Sequence, residues 1–305
     1  MTARTRTRLA ALLAASVVVL AGCGDGDDPE ANDPNDTPTK SAKPGKTPKP
    51  SDESSPSESG GTPTTVAVPV YFVGRTPLGP RLFREFRSVE ADNELEEAFA
   101  LLTAGDTLDP DYSTLLPEGS LTEISNDESI LISLPDESWA DRPAGMSSKE
   151  AKLAVQQIVY TAQGVLQKRV PVVFYVGDDT SQASSVFGLD ASGGFKAAPD
   201  VDVLALVNIT EPAQDSTVAD TFTASGVANS FEATVPWEIR DADGKPVLDG
   251  FATAEGWMDK LYPWESPVDV SALAPGTYTF VAMTDDPSGG EGKGPTEDTK
   301  TITVQ

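Results

Sequence analysis

Ser147 to Gly164 reads SSKEAKLAVQQIVYTAQG, and Val170 to Val176 follows a few residues later as VPVVFYV. Ser147 and Glu150 have the spacing of a capping box, in which the serine hydroxyl accepts from the third backbone N–H and the glutamate reaches back to the first. Ala151, Val155, Ile158 and Ala162 then recur on one helical face, and Gly164 is the expected stop. VPVVFYV is apolar and β-branched, which predicts a buried strand with Pro171 at its start or edge, because proline offers no ladder N–H. A long amphipathic helix followed at once by a buried strand sets the first fold as a helix-on-sheet domain.

Working outward, Val66 to Val73 (VAVPVYFV) and Leu82 to Val89 (LFREFRSV) flank a Gly-Pro turn and predict a hairpin. Between Asp92 and Ala104 the positions Leu95, Ala98, Phe99 and Leu102 make a second helical stripe, with acidic residues in the first turn and Gly105 beyond the end. Leu121 to Ser125 and Ser129 to Leu134, around Asn126-Asp127-Glu128, read as another hairpin, while Ser181 to Lys196 reads as a Ser/Gly-rich loop. The expectation for residues 66–196 is an α+β domain, a mixed sheet with two helices on one face. After Pro199 the helical signal stops. Phe231 to Arg240 (FEATVPWEIR) alternates, Asp241 to Gly244 is a turn, Pro246 to Ala252 returns, Thr277 to Thr284 puts Tyr278, Phe280 and Ala282 on one face, and Thr299 to Val304 is a last strand. Short strands at near-regular spacing predict an all-β, immunoglobulin-like sandwich over residues 199–305.

The first 65 residues obey a different logic. Arg4, Arg6 and Arg8 precede an apolar run from Leu9 to Gly22, too short to span a bilayer that needs about 20 residues. A basic start, a short apolar run and small residues before a cut make residues 1–22 a secretory signal. The run ends in Leu20-Ala21-Gly22-Cys23, and Cys23 is the one cysteine of the 305-residue chain. This tetrad resembles the lipobox of bacterial lipoproteins. The resemblance implies that the Cys23 thiol receives diacylglycerol and that the acyl chains, palmitate among them, anchor the protein on the outer face of the cell membrane. With no second cysteine, no intramolecular disulfide is possible. From residue 24 to 65 there are eight prolines and no aromatic or large aliphatic side chain, so the lipidated Cys23 and the segment to residue 65 read as a disordered tether without a core of its own.

Two further stretches bring known families into view. VPVYFV, the helix ending ALLTAG, YSTLLPEG from Tyr112 to Gly119 and QIVYTAQG before VPVVFYVGD resemble the GerMN domain of bacterial sporulation and germination lipoproteins, with Ser120 where the family usually has threonine. Ser225-Gly226-Val227-Ala228, Phe231-Glu232, Asp243-Gly244 and the closing strand resemble the immunoglobulin-like domain associated with bacterial spore germination.

Composition narrows the chemistry. Removing the signal takes away three of 22 basic residues and none of the 48 acidic ones, so the exported chain carries 19 − 48 = −29 charges. A polyphosphate is held by Lys and Arg, so nucleic acid is excluded as a partner. There is no histidine, which removes Ser-His-Asp and Cys-His catalysis and histidine-ligated metals. Ser147-Ser148-Lys149 lacks the S-x-x-K spacing, and Asp241-Ala242-Asp243-Gly244 continues to Ala252 where a calcium loop needs a bidentate glutamate. No catalytic, metal or cofactor residue is therefore assigned. The run Trp257 to Trp264 (WMDKLYPW), between Gly256 and the turn-forming Pro263, is the candidate partner surface, through Trp257, Met258, Leu261, Tyr262 and Trp264. The expected function is a membrane-anchored, extracytoplasmic, non-enzymatic interaction or assembly module that binds envelope proteins or itself in cell-wall, sporulation or germination processes. The alternative is an envelope protein that binds glycan, peptidoglycan included, or hydrolyses it with paired carboxylates, its Trp237, Trp257 and Trp264 stacking on sugars.

Overall fold

The computed structural model describes residues 64–124, 128–177, 181–286 and 291–305. The expected secretory signal, the lipobox-like Leu20, Ala21 and Gly22, the expected lipidation site Cys23 and the segment read as a tether, as far as residue 63, lie outside the described residues, as do residues 125–127, 178–180 and 287–290.

The first module opens with β1 (Thr65–Thr76) and β2 (Gly79–Glu90), paired antiparallel along their whole length from Thr65↔Glu90 to Thr76↔Gly79. α1 (Glu94–Ala104) follows and ends where Gly105 turns left-handed at φ 65°, a conformation that costs glycine little. β3 (Thr122–Ile124) and β4 (Ile130–Leu134) are antiparallel, and α2 (Ser148–Val165) carries the chain across to β5 (Val172–Val176), parallel to β4. The capping box forms as read: the Glu150 N–H donates to Ser147 Oγ, and the Ser147 N–H to Glu150 Oε2.

The sheet comes in two pieces, a β1–β2 ribbon and a mixed β3–β4–β5 sheet, joined by one core of Val70, Phe72, Phe99, Leu102, Ile132, Ile158 and Phe174. Gly164 does not stop α2, which runs on to Val165. Its missing side chain lets the helix approach β1, since a Cβ there would lie 2.8 Å from Pro69. The Ser181–Lys196 stretch is no loose loop. Its two-residue strands β6 (Ser185–Val186) and β7 (Leu189–Asp190) pair, and they bury Val186 and Phe187 completely, with Phe187 against Trp139.

A single helical turn, α3 (Asp200–Val203), leads into the second module. Its strands are β8 (Val207–Glu211), β9 (Ser216–Val218), β10 (Thr221–Ala228), β11 (Thr234–Arg240), β12 (Pro246–Thr253), β13 (Tyr262–Asp269), β14 (Gly276–Met283) and β15 (Glu297–Val304). They form a three-stranded sheet, β13–β10–β8, and a five-stranded sheet, β12–β11–β14–β15–β9. Inward-facing Ile209, Ala224, Val235, Trp237, Trp264, Phe280 and Ile302 fill the space between, and the Trp237 indole N–H donates to Ser266 Oγ at 3.1 Å across it. Phe231 to Ala233, read as the start of a strand, is a one-turn 3₁₀ segment, with Glu232 exposed at φ 53°.

Candidate functional site

The β1–β2 ribbon has two working faces. Val70, Phe72 and Phe83 point into the first core, while Tyr71, Val73 and Leu82 point the other way, toward Leu204 from the connecting turn and the half-buried Leu261 of the second module. The β1 edge is closed by polar groups of α2: the Tyr71 N–H donates to Thr161 Oγ1, and Gln157 Nε2 donates to the Tyr71 carbonyl. The connecting turn is fixed in the same way, with the Ala205 N–H donating to the Leu82 carbonyl at 2.8 Å and the Tyr160 hydroxyl to that of Ala198 at 2.6 Å.

At the middle of this junction sits an ionic cluster. Lys300 of β15 donates to Asp109 Oδ2 at 2.5 Å, to Tyr112 Oη at 2.8 Å and to Asp298 Oδ1 at 3.2 Å. Tyr112 donates to Asp298 Oδ1 at 2.6 Å, and its ring lies 4.6 Å from the ammonium. The other Asp298 oxygen accepts from the Ile209 N–H at 2.6 Å and from Asn208 Nδ2 at 3.2 Å. Asp109 and Tyr112 come from the loop after α1. Glu85 holds that loop by accepting from the Leu108 and Asp109 backbone N–H groups, with Arg87 pairing to both Glu85 and Asp106.

All four members are buried: Asp109 at 2 % exposure, Asp298 at 3 %, Lys300 at 5 % and Tyr112 at 7 %. Two carboxylates, Asp109 and Asp298, share the one ammonium of Lys300. Burial is the largest influence on Lys300 and would lower it, yet the fields of Asp298 and Asp109 together outweigh it and hold the ammonium above its ordinary value. Burial raises Asp109 above its ordinary value, and the neighbouring Lys300 acts against that rise. Tyr112 is pushed well above the ordinary phenol range, by burial first and then by Asp298 and Asp109, so it stays a donor. Every N–H of Lys300 is used inside the cluster and the ammonium has no free face. This arrangement clamps two modules together; it does not present a nucleophile or a base.

Two clefts flank the clamp. One of about 620 Å³ runs past Arg75, Phe83, Tyr112, Glu150 and Glu297. The other, about 380 Å³, lies between Phe86 and Leu108 on one side and Thr210, Ala213 and Gln214 on the other, and it continues past Arg84 and Phe86 into a groove of about 520 Å³ along Val227, Pro263, Glu255 and Glu265. Among the described residues no group of three or more acidic or cysteine side chains could hold a metal ion.

The structure divides the sequence-predicted partner surface. Trp257 and Met258 are exposed, at 38 % and 70 %, on the loop before β13, with the Trp257 ring edge-on to exposed Phe231 at 5.2 Å. Leu261 and Tyr262 are half-buried, Leu261 at the module junction and Tyr262 against Gly256. Trp264 is a correction. It is 3 % exposed, because Pro263 and Glu265 take the outward positions of β13 and alternation sends Trp264 into the sandwich over Gly226. Trp237 is likewise buried, at 6 %. The Asp241–Gly244 segment is a turn, with Asp241 Oδ1 accepting from the backbone of Asp243 and Lys245. The sequence reading did not single out Asp109, Asp298 or Lys300. The signal was present in β15, where Asp298 and Lys300 occupy the same alternating positions as the core residues Ile302 and Val304.

Family models match both modules: "Sporulation and spore germination" over residues 69–182 and "Immunoglobulin-like domain of bacterial spore germination" over residues 206–291. The chain carries one domain of each family. The germination-type domain thus supplies the ribbon, Asp109 and Tyr112, and the immunoglobulin-like domain supplies β8 with Asn208, while Asp298 and Lys300 follow the matched segment. No curated protein matches the chain. Among solved structures, the tandem GerMN domains of the sporulation protein GerM from Bacillus subtilis are 14 % identical, covering 68 % of this chain and 62 % of that one, with a TM-score of 0.35. CopC from Methylosinus trichosporium OB3b is 21 % identical over 32 % of this chain and 93 % of its own, with a TM-score of 0.22. The endo-β-1,4-mannanase from Thermotoga petrophila is 10 % identical, covering 54 % and 37 %, with a TM-score of 0.27. The assignment rests on the two family models.

Proposed function

We propose that this protein is an exported lipoprotein, held on the outer face of the membrane by lipid on Cys23, that acts without catalysis as an interaction module of the cell envelope in a sporulation- or germination-type process. The observation that carries the reading is the junction itself. Among the described residues, the most deeply buried carboxylates and a buried lysine are consumed in joining one germination-family domain to the other, with Lys300, Asp109, Asp298 and Tyr112 bonded to one another. Two modules clamped to each other, on a long tether, suit presentation of surfaces to envelope proteins, or to a second copy, at a distance from the bilayer. The tether begins at Cys23, whose Leu-Ala-Gly-Cys setting supports lipidation. The glycan alternative is weakened by Trp237 and Trp264, whose rings are packed in the core and offer no stacking platform.

Two measurements test this. Intact-mass analysis of the protein isolated from its native membrane should show Cys23 at the N-terminus carrying diacylglycerol, and an unmodified Cys23 rules out the anchor. Incubation of the protein with purified peptidoglycan should release no muropeptides; release that disappears in an acid-to-amide variant would establish catalysis instead.

A further inference from the structure

The β1–β2 ribbon leaves one of its edges open. Leu82 accepts from Ala205 and the Glu90 N–H donates to Glu97 Oε2, so the even-numbered residues of β2 turn their backbone groups away from β1. Pro69 sits opposite Phe86, where a strand residue needs no N–H for its own ladder, which is why a proline is accommodated in mid-strand. Between the two anchored ends, the N–H and C=O groups of Arg84, Phe86 and Ser88 face outward and no described residue takes them. This free edge spans about 13 Å at about 3.3 Å per residue.

Its surroundings have a definite chemistry. The edge borders the groove past Phe86 and Arg84, whose far wall is the outer face of β8, β10 and β13. Phe86 and Leu108 are 43 % and 49 % exposed there, and Ala67, Val227 and Pro263 add further apolar surface. Both cations of the lining are already engaged: Arg84 lies 4.7 Å over the Phe86 ring and donates to Thr210 Oγ1, and Lys300 is held in the clamp by Asp109 and Asp298. Glu211, Glu255 and Glu265 line the groove as exposed carboxylates, and none has an ion-pair partner among the described residues. Unpaired main-chain groups, apolar pockets and a carboxylate rim are the requirements for adding a strand with basic side chains.

We propose that the open edge of β2 at Arg84, Phe86 and Ser88 captures an extended peptide segment of a partner protein, rich in lysine or arginine, which adds as a third strand and sets its basic side chains against Glu211, Glu255 and Glu265. The proposal rests on the interaction role above and gives it a partner chemistry. Should no peptide bind, the absence of muropeptide release would still support that role by itself.

The test uses the full chain and two dye-labelled nonapeptides of alternating sequence, one of lysine and valine and one of glutamate and valine, followed by fluorescence anisotropy. The lysine peptide binds and the glutamate peptide does not. Phe86→Pro removes one outward N–H without touching the β1–β2 ladder and weakens binding about tenfold beyond Phe86→Ala, the loss of about one charge-free hydrogen bond with its neighbour. A Glu211→Gln/Glu255→Gln/Glu265→Gln variant, which leaves the edge intact, loses binding together with its salt dependence. Equal binding of the two peptides overturns the proposal, as does an affinity that both variants leave unchanged. Self-association of the free chain that Phe86→Pro abolishes would give the edge to a second copy and overturn it as well.

Discussion

Lys300 occupies a strand position whose alternation calls for an apolar side chain, with Ile302 and Val304 beside it on the same face. Such a charge persists only if its partners offset the loss of hydration, and Asp109, Asp298 and Tyr112 do so with three hydrogen bonds. Removing one partner of a buried pair strands the rest. Lys300→Met should therefore cost about 3–5 kcal/mol, because two buried carboxylates would face each other without a cation. Asp109→Asn should cost less, since Lys300 keeps Asp298 as its counter-charge and burial already disfavours the Asp109 carboxylate. Urea midpoints of the two variants against the parent check the order, and equal losses would mean that Asp109 is as necessary to the clamp as Lys300.

At the scale of elements, the long periodic stretches were legible and the crowded short ones were not. The β1–β2 hairpin, both main helices, the capping box and the strands at β4, β5, β11, β12, β14 and β15 follow from local periodicity, which depends on neighbours in sequence. β13 was not legible, since Trp257 to Trp264 mixes a loop with the start of a strand and Pro263 and Pro267 disguise the alternation. The ionic clamp was only half visible, because Asp109 and Lys300 are joined by tertiary packing across 191 positions. Gly226 shows the same limit. Its sequence setting reads as an ordinary strand residue, yet a Cβ there would fall 2.1 Å from the Asn208 carbonyl and 3.0 Å from the Trp264 ring, at the bulge where β8 and β10 change register. Gly226→Ala should lower stability by about 1–3 kcal/mol and shift Trp264 fluorescence, as overpacking forces the two strands apart. An unchanged midpoint would show that the bulge absorbs a methyl group freely.

For the whole molecule, the clamp couples the two domains, so its protonation sets the pH range over which they behave as one body. Lys300 has a folded-state pKa above its ordinary 10.5, and its contribution is complete below that value and lost as pH rises through the folded one. Tyr112 is raised above 10.0, so its contribution fades in the same alkaline direction. Asp109 is also raised, and its part runs the same way at lower pH: acid favours the folded form and rising pH withdraws that gain. Asp298 and Glu85 are the other acidic groups facing the clamp. The coupled unit should therefore tolerate mild acid and weaken in alkali. Urea unfolding followed by Trp237 and Trp264 fluorescence should keep one midpoint from about pH 5 to pH 9 and lose stability above about pH 10, where the Lys300→Met/Tyr112→Phe variant shows a smaller loss than the parent because it lacks both groups. If parent and variant fall by the same amount, the alkaline loss belongs to other lysines and tyrosines, and the clamp does not govern how the two domains hold together.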